Sequence, residues 1–400
     1  MYEDRYDSCW LLSKGEMIHG SGRNADAYPW QGRHCANEEC CCVHRSLPVL
    51  NQKQMYLFFV NLHSLKLYCS VIVRLSEKSI EMIEEQKISF FKKWWISLRP
   101  FSFPASSMPV IFGTVLAYAY GGESIHVGYF LLAFFGMVFL HAGANVLNDI
   151  IDFNKGLDKV PAPVSGGVVR RLITIKEARV ASSILFSIGA LMGIALAYMT
   201  SWWLLIIGVP GIFIGIFYSL GGKIALKYHA LGDLAVFLNF GTLGALGAWF
   251  VQTGTFSWVP VIWALPMSML VIGILHANNW RDIKSDREGN IYTIASMLGD
   301  RASLQYYGYL IFGPFFVVLS LILIPYFAFP NVPFMPFTFG IVILSLPMAL
   351  RLWQKALQRK KPKNPIDFVA LDGATAQFNL VYGLLCTIAL VLEAVIRIWI

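Results

Sequence analysis

The chain has 400 residues, of which 56% are hydrophobic and only 14% charged, and it carries a formal net charge of +8. An ordinary globular domain is about one quarter charged, and one core cannot hide this much apolar surface, so lipid must be part of the solvent. That excludes a soluble dinucleotide-binding enzyme, a disordered chain and a secreted disulfide scaffold. The positive charge is read as the cytoplasmic loops of a membrane protein, with no nucleic acid as partner.

Residues 1–81 differ from the rest. They are polar, without hydrophobic period, and hold six of the seven cysteines: Cys9, Cys35, Cys40, Cys41, Cys42 and Cys69. Three adjacent cysteines wrap poorly around one tetrahedral ion, and no paired C-x2-C spacing is present, so a zinc knuckle is not expected. The apolar stretch Met55–Val73 is interrupted by Asn61, His63 and Lys66 and makes a poor spanning helix. The segment is expected to be a poorly structured, dispensable extension. Met82 then opens MIEEQKISFFKKWWISLRPFSFP, an amphipathic lead-in that places Trp94 and Trp95 at a membrane interface.

From Pro104 the sequence predicts an all-α, multi-pass membrane domain over residues 82–400. Nine apolar spans are expected near 104–120, 127–147, 178–198, 202–219, 230–251, 259–277, 305–327, 333–350 and 378–399. Lys and Arg crowd the lead-in and every second loop, including Lys155, Lys159, Arg170 and Arg171, then Lys223 and Lys227, then Arg281, Lys284 and Arg287, then Lys360, Lys361 and Lys363. The intervening loops GGESIH, MTS, QTGTFSW and YFAFPN contain none. This alternation predicts an integral membrane protein with a cytoplasmic N-terminus, in the cell membrane if the source is prokaryotic.

Two acidic clusters fall at the cytoplasmic ends of the second and sixth spans. The first holds Asn145, Asn148, Asp149, Asp152 and Asp158; the second holds Asn278, Asn279, Arg281, Asp282 and Asp286. On a helix, Asn145, Asn148/Asp149 and Asp152 recur at i, i+3/i+4 and i+7 and are expected to share one face. Carboxylates at membrane depth are costly and usually functional. Several converging on one place would repel each other unless hard divalent cations joined them, and Mg²⁺ binds one or two carboxylates together with substrate phosphates. The bland alternative is that Asp149 and Asp282 merely cap helix ends or pair with nearby lysines. Two such clusters on one side of the membrane weigh against it.

The segments NDIIDFNKGLD (148–158) and NNWRDIKSDREGN (278–290) resemble the two aspartate-rich motifs of the UbiA superfamily of intramembrane prenyltransferases. The likeness covers about residues 90–400 and includes the nine-helix count. The first motif departs from the commoner NDxxDxxxD form: position 156 is Gly and the third acid is Asp158. That spacing, with PVSGGVVR (163–170), YSLGGKIALKYHALGD (218–233) and GAWFVQTG (247–254), resembles the branch that prenylates 1,4-dihydroxy-2-naphthoate in menaquinone synthesis.

The resemblance implies that Asp149, Asp152, Asp282 and Asp286 hold Mg²⁺ ions on the diphosphate of a polyprenyl diphosphate, with Asp158 assisting. Asn145, Asn148, Lys155, Arg170, Arg171, Tyr218, Lys223, Lys227, Asn279 and Arg281 are the candidate substrate-binding residues. Phe153, Tyr218 and Trp280 are candidates to shield an allylic cation, or equally to anchor the chain at the interface. The partners implied are the polyprenyl diphosphate, an aromatic acceptor and the bilayer. Asp233 is placed at the site or at a helix N-cap; Asp367 and Asp372 are left unassigned. Hydroxybenzoate, homogentisate and a glycerol phosphate ether are the alternative acceptors within the same superfamily. A transporter with carboxylate ion sites is the competing class, but its usual sign is broken helices at mid-membrane, whereas these acids lie at span ends. A CDP-alcohol phosphotransferase would pack its acids into one continuous signature.

Overall fold

The computed structural model describes residues 9–13, 16–20, 88–156, 166–220, 222–328, 334–359, 368 and 370–399. The chain divides into two units, Met1–Glu84 and Glu85–Ile400. In the first, strands β1 (Cys9–Ser13) and β2 (Glu16–Gly20) pair antiparallel, with Cys9 opposite Gly20 and Ser13 opposite Glu16. No periodic element is expected there, yet the apolar runs Trp10-Leu11-Leu12 and Met17-Ile18, a few residues apart in the sequence, are a local hairpin signal. Met55–Val73, the clustered cysteines at 35–42 and Met82 lie outside the described residues.

The second unit is helical among its described residues. A short interfacial helix α1 (Phe90–Leu98) precedes α2 (Pro104–Ala119), α3 (Val127–Lys155), α4 (Ile175–Met199), α5 (Leu205–Phe217) and α6 (Gly232–Thr253). Then come α7 (Val259–Trp263), α8 (Leu265–Arg281), α9 (Ile283–Glu288), α10 (Ile294–Ala328), α11 (Leu346–Leu357, continuing a 3-10 stretch Phe337–Ser345) and α12 (Leu371–Trp399). Each of the nine expected spans lies on this helical framework. Seven described stretches are long and apolar enough to cross a membrane by themselves. The other two are α5, a shorter apolar helix, and the α7–α8 pair, broken at Ala264. The latter carries Ser268, His276, Asn278 and Asn279, whose polarity suits the interior of a bundle rather than lipid.

Helices α2, α8, α10 and α12 pack around one core in which Phe112, Leu116, Leu270, Tyr307, Phe378 and Tyr382 are fully buried. Helices α3 and α4 form a close pair whose contact rests on small residues: a Cβ on Gly189 would meet Leu140 at 2.6 Å. Large apolar side chains such as Leu191, Trp203, Phe213, Phe316 and Leu344 point outward. That inversion of the usual polar surface is what a lipid environment requires.

Candidate active site

Helix α3 carries the first motif to its last turn and stops at Gly156. There φ is +66°, a conformation that glycine adopts freely, and the Gly156 N–H caps the carbonyls of Asp152 and Phe153. The Lys155-Gly156 pair thus ends the helix before the third acid. Asp158 lies outside the described residues.

The four polar residues of α3 do not share one face. An advance of three residues and an advance of four land on opposite sides of a helical row, and this separation splits the motif in two. Asn148 and Asp152 form one side. The Asn148 Nδ2 donates to Asp152 Oδ2 at 2.8 Å, and Asn148 Oδ1 accepts from Ser219 Oγ and from Lys227 Nζ, each at 2.7 Å. Lys227 also pairs with Asp152 Oδ1.

Asn145 and Asp149 form the other side and are set apart from that cluster. Asn145 Nδ2 donates to the Leu98 carbonyl at 3.1 Å and to Ser102 Oγ at 3.0 Å, tying the α1–α2 link to α3. Asp149 is 1% exposed; Arg99 Nη2 reaches its Oδ1 at 3.3 Å and the Val168 N–H donates to its Oδ2 at 2.7 Å. A Cβ on Gly166 would lie 2.2 Å from this carboxylate, which explains the glycine in PVSGGVVR. Asp149, expected as a metal ligand, and Asn145, expected as a substrate contact, here hold neighbouring chain segments. Arg170 and Arg171 sit on the turn that Asp149 holds, and Arg171 adopts a φ of +56°.

The second motif closes α8 and opens α9. Arg281 grips Asp282 with two bonds, Nε to Oδ1 at 3.0 Å and Nη2 to Oδ2 at 2.9 Å, and reaches Asp372 Oδ2 with Nη1 at 3.1 Å. Asn278 donates to the same Asp372 oxygen at 3.3 Å. Asp372, 2% exposed in the first turn of α12, thus orients Arg281 from behind. Asn279 is half-buried beside this network. Asp286 receives the Thr293 hydroxyl at 3.2 Å. Burial, then the charges of Asp282 and, more weakly, Asp152, push its carboxyl up to about 7, against the Thr293 hydroxyl and Lys227, which lower it. Asp286 therefore feels acids of both motifs.

The loop after α5 is folded over this site. The Lys227 N–H donates to the Tyr218 carbonyl at 3.1 Å, and His229 bridges Tyr292, joining the loop to the segment that follows α9. Lys155 Nζ lies 3.7 Å and Lys227 Nζ 5.3 Å from the ring centroid of Tyr228. Both lysines thus lie against the Tyr228 ring. The side chain of Lys223, on the 3-10 turn Gly222–Ile224, lies outside the described residues. Asp233 is buried at the start of α6 and accepts from the Tyr306 hydroxyl at 3.1 Å. Trp280 is not a cation shield. It is buried in the core, donates its indole N–H to Asp300 at 3.1 Å and packs edge-on against Phe368. Phe153 is exposed.

Immediately below the polar cluster, along α3 and α5, opens an apolar cavity of about 130 Å³, ample for more than a single water. Ala144 lines it one turn before Asn148, and Gly215 lines it one turn before Ser219. Gly136, Gly189, Gly208 and Gly211 leave its walls bare, and His141, Asn239 and Phe240 complete them. Sequence reasoning missed Asn239. The available signal was one carboxamide inside the otherwise apolar run AVFLNFGTL.

Carboxylates and lysines thus gather at one end of a helical bundle, beside an apolar cavity. The UbiA prenyltransferase family profile matches residues 106–371, and the chain belongs to that family. It is 30% identical over 332 residues to UbiA prenyltransferase domain-containing protein 1 of Danio rerio, covering 82% of this chain and 91% of that one. It is also 30% identical to the 1,4-dihydroxy-2-naphthoate octaprenyltransferase of Bacillus subtilis, over 77% of this chain and 95% of that one. Among solved structures, an apo UbiA homologue from Aeropyrum pernix K1 matches with TM-score 0.52 at 16% identity, covering 72% and 97% of the two chains. A UbiA homologue from Archaeoglobus fulgidus, bound to DMAPP and Mg²⁺, matches with TM-score 0.50 at 14% identity, covering 74% and 99%. The chain is a multi-pass integral membrane protein of the prenyltransferase class.

Proposed function

We propose that the chain transfers a polyprenyl group from a polyprenyl diphosphate to 1,4-dihydroxy-2-naphthoate, in menaquinone synthesis. The observation that carries the reading is the Asn148–Asp152–Lys227 cluster one turn from an apolar cavity, with Asp286 under the charge of both Asp282 and Asp152. A diphosphate needs charge and water, its tail needs hydrocarbon, and these elements stack in that order. The Bacillus subtilis relative supports the acceptor; the animal relatives, equally similar, support the class of reaction.

The residues fit Mg²⁺. The donors are all oxygen, and the Lys227 ammonium already bonds Asn148 and Asp152 together, which marks the place as one where a cation is welcome. No group of three His, Cys, Asp or Glu side chains among the described residues closes around one point. Mg²⁺ typically takes one or two carboxylates and fills the rest of its shell with waters and substrate phosphate oxygens. Asn148, Asp152, Asp282 and Asp286 would hold it, and when bound it supplies positive charge for the diphosphate oxygens.

The rest is done by the chain. Lys227 and Lys155 neutralise charge as it develops on the departing diphosphate. Arg281, fixed by Asp372, holds Asp282 in place. The cavity below Asn148 receives the isoprenoid and excludes water, which protects the allylic cation left when the C–O bond breaks. The electron-rich ring of the acceptor attacks C1 of that cation. The new C–C bond forms as the ring carbon loses its carboxylate as carbon dioxide, and diphosphate carries away the bonding pair of the C–O bond. Lysine and arginine distribution supports a site and an N-terminus on the cytoplasmic side. Labelling of single cysteines at positions 225 and 285 from the cytoplasm, and at 122 and 254 from outside, tests this orientation; 225 and 285 on opposite sides would refute it.

The purified full chain with Mg²⁺, geranylgeranyl diphosphate and 1,4-dihydroxy-2-naphthoate is expected to release diphosphate and form a prenylated naphthol. Transfer to 4-hydroxybenzoate or homogentisate with none to the naphthoate would refute the acceptor, and release with no acceptor transfer at all would refute the reaction.

A further inference from the structure

Asn239 is 8% exposed, and its carboxamide has no hydrogen-bond partner among the described residues. It lines the apolar cavity. Its Oδ1 lies 3.0 Å from where a Cβ on Gly211 would sit, and its Nδ2 lies 3.8 Å from the same point on Gly215. Both amide ends thus face the bare glycine wall of α5. The residue sits in a π-helical stretch, Phe237–Leu243, inside α6. Such stretches re-aim side chains and recur at functional sites.

A buried amide left unpaired costs about 1–3 kcal/mol, and buried polar groups in folded proteins nearly always find partners. An isoprenoid tail offers neither donor nor acceptor. A channel built for the tail alone would be better served by leucine at this position. A second group that hydrogen-bonds at this depth would give the amide the partner it lacks.

The depth identifies it. Gly215 lies in the last turn of α5 and Ser219 two residues past its end, roughly 6 Å further along, and Ser219 bonds Asn148 in the polar cluster. A point one turn below the diphosphate site is where C1 of an allylic diphosphate lies, and the attacking ring must come to C1. Resting on the function proposed above, we infer that Asn239 positions the aromatic acceptor by hydrogen-bonding a ring hydroxyl, which donates and accepts as a carboxamide does. His141 does not compete for this task, because Ser106 Oγ lies 2.9 Å from its Nδ1 and Ser102 Oγ 3.4 Å from its Nε2. The Phe240 ring, 4.5 Å from the imidazole, supplies apolar surface beside it.

The test uses the full chain in detergent and two binding measurements, besides turnover: 1,4-dihydroxy-2-naphthoate by quenching of tryptophan fluorescence, and geranyl diphosphate with Mg²⁺ by competition. Asn239→Leu keeps the size and removes the amide. It is expected to weaken naphthoate at least tenfold and to leave geranyl diphosphate within about twofold. Gly211→Ala leaves Asn239 unchanged but crowds its Oδ1, and is expected to weaken naphthoate in the same direction. Asn239→Leu that is monodisperse and binds naphthoate as wild type does overturns the inference, as does equal loss of both ligands, which would make Asn239 part of the tail channel. A wild-type chain that binds naphthoate through Asn239 but transfers no prenyl group upholds the inference and refutes the proposed reaction.

Discussion

Asp149→Ala separates a metal ligand from a structural carboxylate at the same position. Asp149 is 1% exposed, its Arg99 partner is 15% exposed by side chain, and the Val168 N–H bonds the other oxygen at 2.7 Å. Removing the carboxylate strands a mostly buried guanidinium and an interior amide. Breaking a buried pair from one side costs about 3–5 kcal/mol. At the low end of the usual sensitivity, fitting for a long chain, that corresponds to a fall of about 6–10 °C in melting temperature. The void beside Gly166 adds to the loss, because the turn at Gly166–Val169 packs directly on this carboxylate. The assay is thermal unfolding in detergent, followed by size exclusion, beside a Mg²⁺ titration of activity on the surviving protein. Arg99→Ala in combination should cost less than the sum of the two single changes, since the second removal relieves the charge stranded by the first. A variant that melts with wild type and has lost Mg²⁺ affinity would refute the reasoning and restore Asp149 to the metal site.

Asp152→Asn and Asp286→Asn should behave in the opposite way, losing turnover by about 100-fold or more, as expected when charge stabilisation worth about 2.7–4 kcal/mol is lost, while melting within a few degrees of wild type. Turnover above one tenth of wild type in both would refute the shared site. The carboxyl of Asp286 is raised by burial and neighbouring acids from an ordinary value of 3.8 to about 7, so between those values the folded protein holds a proton that the unfolded chain has released. The metal-free chain therefore loses stability as pH rises from about 4 to about 7, and the Mg²⁺ half-saturation concentration falls over the last part of that window and levels above it. Asp286→Asn should flatten both profiles, and an unchanged Mg²⁺ profile in that variant would assign the titration elsewhere. A chain beginning at Met82 should insert and transfer prenyl groups as the full chain does, because every proposed site residue follows position 90. Loss of activity on truncation, together with inactivation of the full chain by a zinc chelator, would give the first 81 residues a metal-dependent role.

Much of this protein is determined by sequence alone. Long apolar runs must become helices in lipid, since only a helix or a closed barrel satisfies every backbone group there. The two Asn/Asp motifs at span ends were legible for the same reason: a carboxylate near hydrocarbon costs too much to be incidental. Periodicity could not divide Asn145, Asn148, Asp149 and Asp152 between two sides of α3. Residues three and four apart are both neighbours on a helix, and only the segments packed beside them decide which neighbour faces which partner. Arg99 and the Gly166–Val169 turn claimed Asp149, while Ser219 and Lys227 claimed Asn148 and Asp152. Asp372 could be recognised as the support of Arg281 only once α12 was laid against α8, because the two are 91 residues apart. Asn239 likewise reads as one polar residue in a membrane helix until α5 presents Gly211 and Gly215 to it. Local chemistry follows from the order of residues, but which side chain faces which requires that the helices be packed.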